Sequence, residues 1–442
     1  MRKDSTKKSW AIIGGGIMGM TLALRLLESQ QQVTIFESAD TPGGLTSSWE
    51  IDDFTWDRFY HVILMSDLNT RNLIHQIGLE QDFEWVETKT GFYADGKLYS
   101  MSNLLEFFKF PPINLIDKFR LGVTIFVASK IKNWRRLEKI PVEKWLTRWS
   151  GKRVFNKIWL PLLKAKLGEY YKQTSAAFIW ATIQRMYAAR KTGLKKEMFG
   201  YISGGYDKIN KAFAQYLLNK GAKIKLNSEV VKISRNNKGI TLDLTSEKNI
   251  YFDKVISTLP SLPSVKIAPE LPALEREKHA GVKYLGVVCT SVVLKKAVSP
   301  YYVTNIIESW PPFTGVIEMS ALIKREEIKE KHLIYLPKYV DPGSDLFDKE
   351  PIKIEQDFVY ALLEMYPDLK ESDVITSKTA KIPMVFALPT LNYSTRLPGI
   401  KTSIPNYYII NSSQIINGTL NVNETIQIAE NKLKELFNEQ EK

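Results

Sequence analysis

The residues with the clearest chemical meaning are three glycines, Gly14, Gly16 and Gly19, in the run Ile12-Ile13-Gly14-Gly15-Gly16-Ile17-Met18-Gly19. Their G-x-G-x-x-G spacing suits a pyrophosphate. The first glycine lets the chain turn tightly, the second lets backbone approach the anion, and the third lets a helix pack closely on a sheet. The anion then rests on the free N–H groups and dipole of the helix N-terminus, here at Ile17 and Met18. Glu37, followed by Ser38, lies 18 residues past Gly19. A carboxylate there accepts hydrogen bonds from both hydroxyls of a ribose and repels a 2′-phosphate. Beyond the acid come Gly43, Gly44 and Leu45, a second glycine turn that can bring backbone to the rest of an extended dinucleotide. The same composition also makes a plain Pro-Gly turn.

Such residues need a strand, a tight turn and a helix to hold them. The pattern predicts a strand over Trp10–Ile13, a helix over Met18–Ser29 and a strand over Gln32–Glu37, a βαβ start. Residues 71–195, rich in Trp, Phe, Leu and Lys, read as mostly helical. From Gly204 the α/β pattern returns. A helix over Asp207–Asn219 stops at Gly221, followed by strands over Lys223–Leu226, Val230–Ser234, Ile240–Leu244 and Lys254–Ser257. Residues 284–340 read as strand-rich and 354–366 as helical; a strand over Tyr407–Asn411 and a helix over Asn423–Asn438 follow. The expected fold is α/β: a discontinuous Rossmann-type nucleotide-binding domain drawn from 1–70, 196–265 and 396–442, with an inserted α+β substrate domain from 71–195 and 266–395.

Composition narrows the class. The chain has 442 residues with 44% hydrophobic and 25% charged, enough for two cores. Its net charge of +13 is spread along the chain and accompanies no nucleic-acid motif, so no nucleic-acid partner is expected. The single cysteine, Cys289, rules out an internal disulfide and suits a reducing, cytoplasmic setting. It sits in the apolar run Val287–Val293, where a buried strand thiol is favoured over a nucleophile. With one Cys and four scattered His, no metal site is expected. Arg2, Lys3, Lys7 and Lys8 before an apolar stretch imitate a signal peptide, but the glycine spacing inside that stretch argues for a fold element. No run is long and apolar enough for a transmembrane helix.

These motifs and their order resemble the FAD-dependent amine oxidase and protoporphyrinogen oxidase superfamily, with its phytoene desaturase relatives and, more remotely, UDP-galactopyranose mutase. Further segments carry the likeness: Ser203-Gly204-Gly205-Tyr206-Asp207-Lys208-Ile209, Gly221–Ile233, Asp253–Pro260 and Asn406–Ser413. The resemblance implies FAD, a backbone contact near the adenine at Val230, a turn at Thr258, and a C-terminal turn at Asn411 and Ser412 that meets the ribityl chain; with no attachment residue in the sequence, the FAD is expected to be non-covalent. Many relatives carry Gly-Asp where this chain has Asn411-Ser412, which can hydrogen-bond without the charge. The stretches Trp56–Leu64, Phe178–Arg185 and Pro312–Glu318 place the chain nearest a sub-branch known only as FAD-dependent oxidoreductases.

The implied activity is oxidation or desaturation of a small organic or lipid-like substrate by hydride transfer to flavin, with oxygen or a quinone as the acceptor. The alternative is a non-redox mutase acting on a sugar nucleotide. His61 and Tyr60 are the catalytic candidates. His61 either moves a proton or orients substrate, or else packs under a loop against a carbonyl. Arg58 is expected to pair with Asp57, the other option being an anionic substrate. Arg185, Tyr187 and Arg190 read as core or surface, and Tyr393 as an aromatic residue near the ring. Phe107, Phe108, Phe110, Leu121, Val123, Ile125, Phe126 and Val127, flanked by Lys118, Arg120, Lys130, Lys132, Arg135 and Arg136, form either a buried helical pair or a peripheral membrane face.

Overall fold

Five short parallel strands form the sheet that carries the glycine turns. In spatial order they are Lys223–Lys225, Gln32–Phe36, Ser9–Ile13, Lys254–Ser257 and Tyr407–Ile409. Ile12 of the central strand lies between Ile35 and Ile256. Both faces are covered. Trp10, Ile12, Ile35 and Ile256 pack on one side with the helices Ile17–Glu28, Gly205–Asn219 and Val422–Asn438. Ala11, Ile13, Phe36 and Val255 pack on the other with the antiparallel strands Val230–Arg235, Ile240–Leu244 and Ile250–Phe252. Two-sided burial is why these strands read as continuous apolar runs rather than alternating ones. The structure is a computed structural model, and it describes residues 7–102, 104–189, 197–416 and 419–438. Arg2, Lys3 and Arg190 of the sequence reading lie outside the described residues, as does the side chain of Tyr187.

A second, seven-stranded mixed sheet runs Val374–Ala387, Tyr284–Leu294, His332–Val340, Gly315–Glu318, Val303–Ile306, Thr90–Ala94 and Lys97–Ser100. Its long second strand, Tyr284–Leu294, is buried along its whole length. Cys289 faces Tyr335 and Ile317, while Val288 and Val292 face Phe358 and Leu362 of the helix Pro351–Met365. Burial pushes the Cys289 thiol well above its ordinary value, so it stays protonated.

One expectation fails here. Residues 83–100 are not helical: Phe83–Glu87 pairs with Met198–Ile202, and Thr90–Ala94 and Lys97–Ser100 form the edge of the seven-stranded sheet. Helices occupy most of 104–189 and share one core with Phe110, Leu121, Trp145, Phe155 and Phe178.

Within that layer the helix Leu115–Lys130 starts inside out. Asp117 and Lys118 are each only 5% exposed, while Leu115, Ile116 and Phe119 are 69, 70 and 72% exposed. The inner charges have partners: Arg153 Nε lies 3.2 Å from Asp117 Oδ2, an ion pair without hydrogen-bond geometry, and Lys118 Nζ donates to Phe108 O at 2.6 Å. Phe108 and Phe126 add to the outer apolar face, whereas Phe110 and Leu121 belong to the core. The proposed apolar set is therefore split between the two, and Lys118 is not one of its basic flanks. Among the described residues no helix is long and apolar enough to cross a membrane.

Candidate dinucleotide and active site

The first glycine turn leaves the end of Ser9–Ile13 and enters the helix Ile17–Glu28. Gly14 has φ +106°, a conformation side-chain-bearing residues rarely adopt, and its N–H donates to Phe36 O at 2.9 Å. A Cβ on Gly14 would strike the Thr258 hydroxyl, which itself donates to Ile13 O at 2.8 Å. A Cβ on Gly19 would overlap the carbonyl oxygen of Gly14. The helix begins at Gly16 with no side-chain cap and no acidic residue in its first turn. The first turn thus sets no acidic side chain of its own against its first N–H groups, at Ile17 and Met18.

The second glycine turn is stitched to the first. Gly43 N donates to Gly15 O at 2.9 Å, and Gly16 and Gly43 form a parallel bridge. Gly43 has φ +134°, and a Cβ there would lie 2.5 Å from Asn210 Nδ2. Asn210, buried on the helix Gly205–Asn219, donates to Thr46 O at 2.9 Å. The Thr46 hydroxyl contacts Asn210 Oδ1 at 3.1 Å and Gly43 O at 2.9 Å. The sequence reading missed Asn210 and Thr46. Leu45, half-buried, lies within the short helical turn Gly44–Thr46 between them.

Glu37 lies beside the first turn with both carboxylate oxygens engaged by donors. Gly15 N donates to Oε2 at 2.6 Å, while Ala39 N at 2.9 Å and the Ser38 hydroxyl at 3.2 Å donate to Oε1. The Val230 side chain packs with Ala11 and Phe36 in the core, which leaves only its backbone for a ligand. Asn411 requires a correction. Its amide is buried and turned inward, with Nδ2 donating to Leu259 O at 2.8 Å and Oδ1 accepting from Ser413 N at 2.9 Å. It shapes the C-terminal turn, and Ser412, half-buried, is the exposed polar member. Tyr393 is tied to the same turn, its hydroxyl donating to Ser413 O at 2.9 Å.

The segment 56–61 leads from the second turn to the other sheet. Asp57 is 2% exposed and accepts from Tyr206 N at 2.9 Å. Burial raises its carboxyl above the ordinary value, opposed by His61 and the Tyr206 N–H. His61 Nδ1 lies 3.8 Å from Asp57 Oδ2, beyond hydrogen-bond range, and is buried without a partner. The imidazole sits 4.9 Å, centre to centre, from the Tyr206 ring. The hydroxyls of Tyr60 and Tyr339 are 3.0 Å apart. Burial and the neighbouring Tyr339 push the Tyr60 phenol well above its ordinary value, so it serves as a neutral hydrogen-bonding group. Arg58 does not pair with Asp57. Its Nε donates to Ser48 O at 3.1 Å and its guanidinium covers Trp49 at 5.8 Å, because Asp57 is already claimed by the helix at 205. Arg185 pairs with Asp67 at 2.8 Å. Among the described residues no three His, Cys, Asp or Glu side chains converge as a metal site.

The model of the flavin containing amine oxidoreductases matches residues 17–341, nearly three quarters of the chain. The chain belongs to that family. Among curated relatives, the 1-hydroxycarotenoid 3,4-desaturase of Flavobacterium sp. (strain P99-3) is 22% identical over 63% of this chain. That alignment spans 64% of the relative, less than two thirds of its length. The 15-cis-phytoene desaturase of Capsicum annuum is 22% identical over 88% of this chain and 69% of its own. A solved oxidoreductase from Methanosarcina mazei shares the fold at TM-score 0.74 and 16% identity, covering 96% of this chain and all of its own. The family match begins at Ile17, so Gly14, Gly16 and the C-terminal turn stand on geometry alone. That geometry fits the flavin that gives the amine oxidoreductases their name: side-chain-free turns where a Cβ would collide, an uncapped helix start, and an orphaned imidazole nitrogen at His61.

Proposed function

We propose that the protein is an FAD-dependent oxidoreductase that takes two electrons, as hydride, from a C–N or C–C site of a small organic or lipid-like substrate. The observation that carries the reading is the joined pair of glycine turns, Gly16 against Gly43, with Glu37 alongside. Gly14, Gly16, Gly19 and the N–H groups of Ile17 and Met18 would hold the pyrophosphate. Glu37 and Ser38 would hold the ribose, the Val230 backbone the adenine, and Gly43, Gly44, Leu45, Thr258 and Ser412 the remainder. Bound flavin supplies the hydride acceptor. The chain's own part is to bind, orient and exclude water. His61, with a free Nδ1 near Asp57, orients substrate or holds a proton, and Tyr60 offers a neutral phenol. The cofactor and substrate parts would divide as 1–70, 196–265 and 396–442 against 71–195 and 266–395, with oxygen or a quinone reoxidising the flavin.

The test is the visible spectrum of purified protein before and after dithionite and then air. Flavin bands that bleach and return are expected; protein without flavin bands even after added FAD would overturn the reading. Slow return would favour a quinone, or the mutase alternative, which needs reduced flavin and returns it unchanged.

The outer face of the helix Leu115–Lys130 supports a peripheral contact with an anionic bilayer. Leu115, Ile116, Phe119 and Phe126 are exposed, and the exposed Arg120, Lys130, Lys132, Arg135 and Arg136 accompany them in sequence. Co-flotation with phosphatidylglycerol vesicles is expected, and absence of co-flotation would sink this part of the reading.

A further inference from the structure

Three lysines lie along 164–172, and one of them behaves differently. Lys164 and Lys172 both reach Glu169, at 3.3 and 2.7 Å. Lys166, between them on the helix Leu160–Leu167, turns away onto aromatic rings. Its Nζ lies 3.5 Å from the centre of the Tyr339 ring and 5.5 Å from that of Phe386. Among the described residues no carboxylate comes within ion-pair distance of it. The nearby Asp341 is held by the Tyr170 hydroxyl instead. Tyr339 in turn meets Tyr60 through their hydroxyls, 3.0 Å apart. Lys166 is thus a half-buried cation linked through one ring to the segment that ends at His61.

We propose that Lys166, with the Tyr60–Tyr339 phenol pair, anchors a carboxylate of the substrate, so that the substrate class is an organic acid. This rests on the reading of His61 and Tyr60 as the edge of the reaction centre. A ring face positions an ammonium but uses none of its three N–H donors in a hydrogen bond to oxygen. A carboxylate reaching Lys166 therefore gains a charge-assisted hydrogen bond without displacing an ion pair. The phenol pair adds a second donor. Two hydroxyls in mutual contact use one proton between them, and the other is left to point at a ligand. Because burial holds Tyr60 in its neutral form, that proton is present at physiological pH and the site carries no competing negative charge. The Phe386 ring beside the ammonium makes the wall apolar, which suits an acid with a hydrocarbon body rather than a sugar or a phosphate.

The experiment uses the FAD-loaded protein, titrated with dodecanoate and with uncharged dodecanamide, and with benzoate and benzamide as a shorter pair. Binding is read by calorimetry and by the perturbed flavin spectrum. At least one acid is expected to bind about tenfold more tightly than its amide, the scale of one charge-assisted hydrogen bond. Lys166→Met, which keeps the stem over Tyr339, is expected to erase that preference, and Lys166→Arg to keep most of it. Acids and amides that bind equally, acids that do not bind, or a preference that survives in Lys166→Met would each overturn the proposal. The flavin bands, recorded before any ligand is added, test the cofactor reading separately from the acid site.

Discussion

Replacing Glu318 by Gln should stabilise the protein in alkaline solution and leave it unchanged in acid. Glu318 ends the strand Gly315–Glu318 and is 1% exposed. Val298 N donates to Oε2 at 3.1 Å, and the Ser320 hydroxyl donates to Oε1. Burial pushes the carboxyl up to about 7, outweighing those bonds, which favour the charged form. His332 does not rescue it. The imidazole Nδ1 is 3.9 Å from Oε1, and burial, reinforced by Arg325, pushes His332 below its ordinary value, which disfavours the charged form that could pair with Glu318. Tyr366, also facing the site, is a neutral phenol. Between 4.5 and about 7 the folded protein keeps a proton that the unfolded chain has released. Stability therefore falls as pH rises through that window, and the whole loss is in place above it. A gap of about 2.5 pH units at 1.36 kcal/mol each amounts to about 3 kcal/mol. Gln keeps the Val298 bond through its carbonyl, and the Ser320 hydroxyl can turn to accept from its amide. If the chain unfolds as one unit, the variant should melt about 3 °C above the parent at pH 8.5, since unfolding entropy is roughly 2 cal/mol/K per residue. At pH 4.5 the two should melt together. Melting curves across this range check the expectation, and a difference equal at both ends, or absent throughout, would refute the reasoning.

Four further outcomes follow from geometry. Gly19→Ala should lose FAD on gel filtration, because the new methyl meets the Gly14 carbonyl; Gly122→Ala, an exposed helix site with nothing within 4 Å, should instead gain about 0.5–1 kcal/mol in urea titration. Phe119→Ser with Phe126→Ser should abolish vesicle flotation while leaving the melting temperature within about 1 °C, since both rings are exposed rather than packed in the core. Cys289, fully buried, should resist a thiol reagent in the native protein and titrate as one thiol in denaturant.

The parts legible in the sequence are those whose logic is local. Gly14, Gly16 and Gly19 act within six residues of each other, and Glu37 follows at the end of the next strand, so spacing alone located them. Asn210 escaped because its task is set by Gly43 and Thr46, distant in sequence, and an Asn inside a helix has no distinguishing neighbour. The strands in 83–100 escaped in part for a related reason. Phe83–Glu87 and Thr90–Ala94 find partners far along the chain, at 198–202 and 303–306, while the Asp95-Gly96 turn that joins Thr90–Ala94 to Lys97–Ser100 is a local hairpin signal that the sequence reading passed over. In the helix Leu115–Lys130 the residue types were visible but the buried face was not. Arg153 and the Phe108 carbonyl decide that Asp117 and Lys118 turn inward.

The five-stranded sheet also has a history in time. Its first two strands leave the ribosome early, but the neighbour of Ser9–Ile13 on the far side is Lys254–Ser257, and the last strand, Tyr407–Ile409, closes the edge. At roughly 5–20 residues per second, some 370 residues separate Phe36 from Ile409 by about 20 to 75 s of synthesis. The free edges of Gln32–Phe36 and Ser9–Ile13 wait for Lys223–Lys225 and Lys254–Ser257, the edge of Lys254–Ser257 then stays unpaired until Tyr407–Ile409, and Trp10, Ile12, Val33 and Ile35 lack a completed covering layer until Val422–Asn438 is made. The nascent chain must be kept from pairing with other copies of itself until its C-terminal tenth arrives, so a truncation that removes Tyr407–Ile409 should yield aggregate rather than a folded fragment.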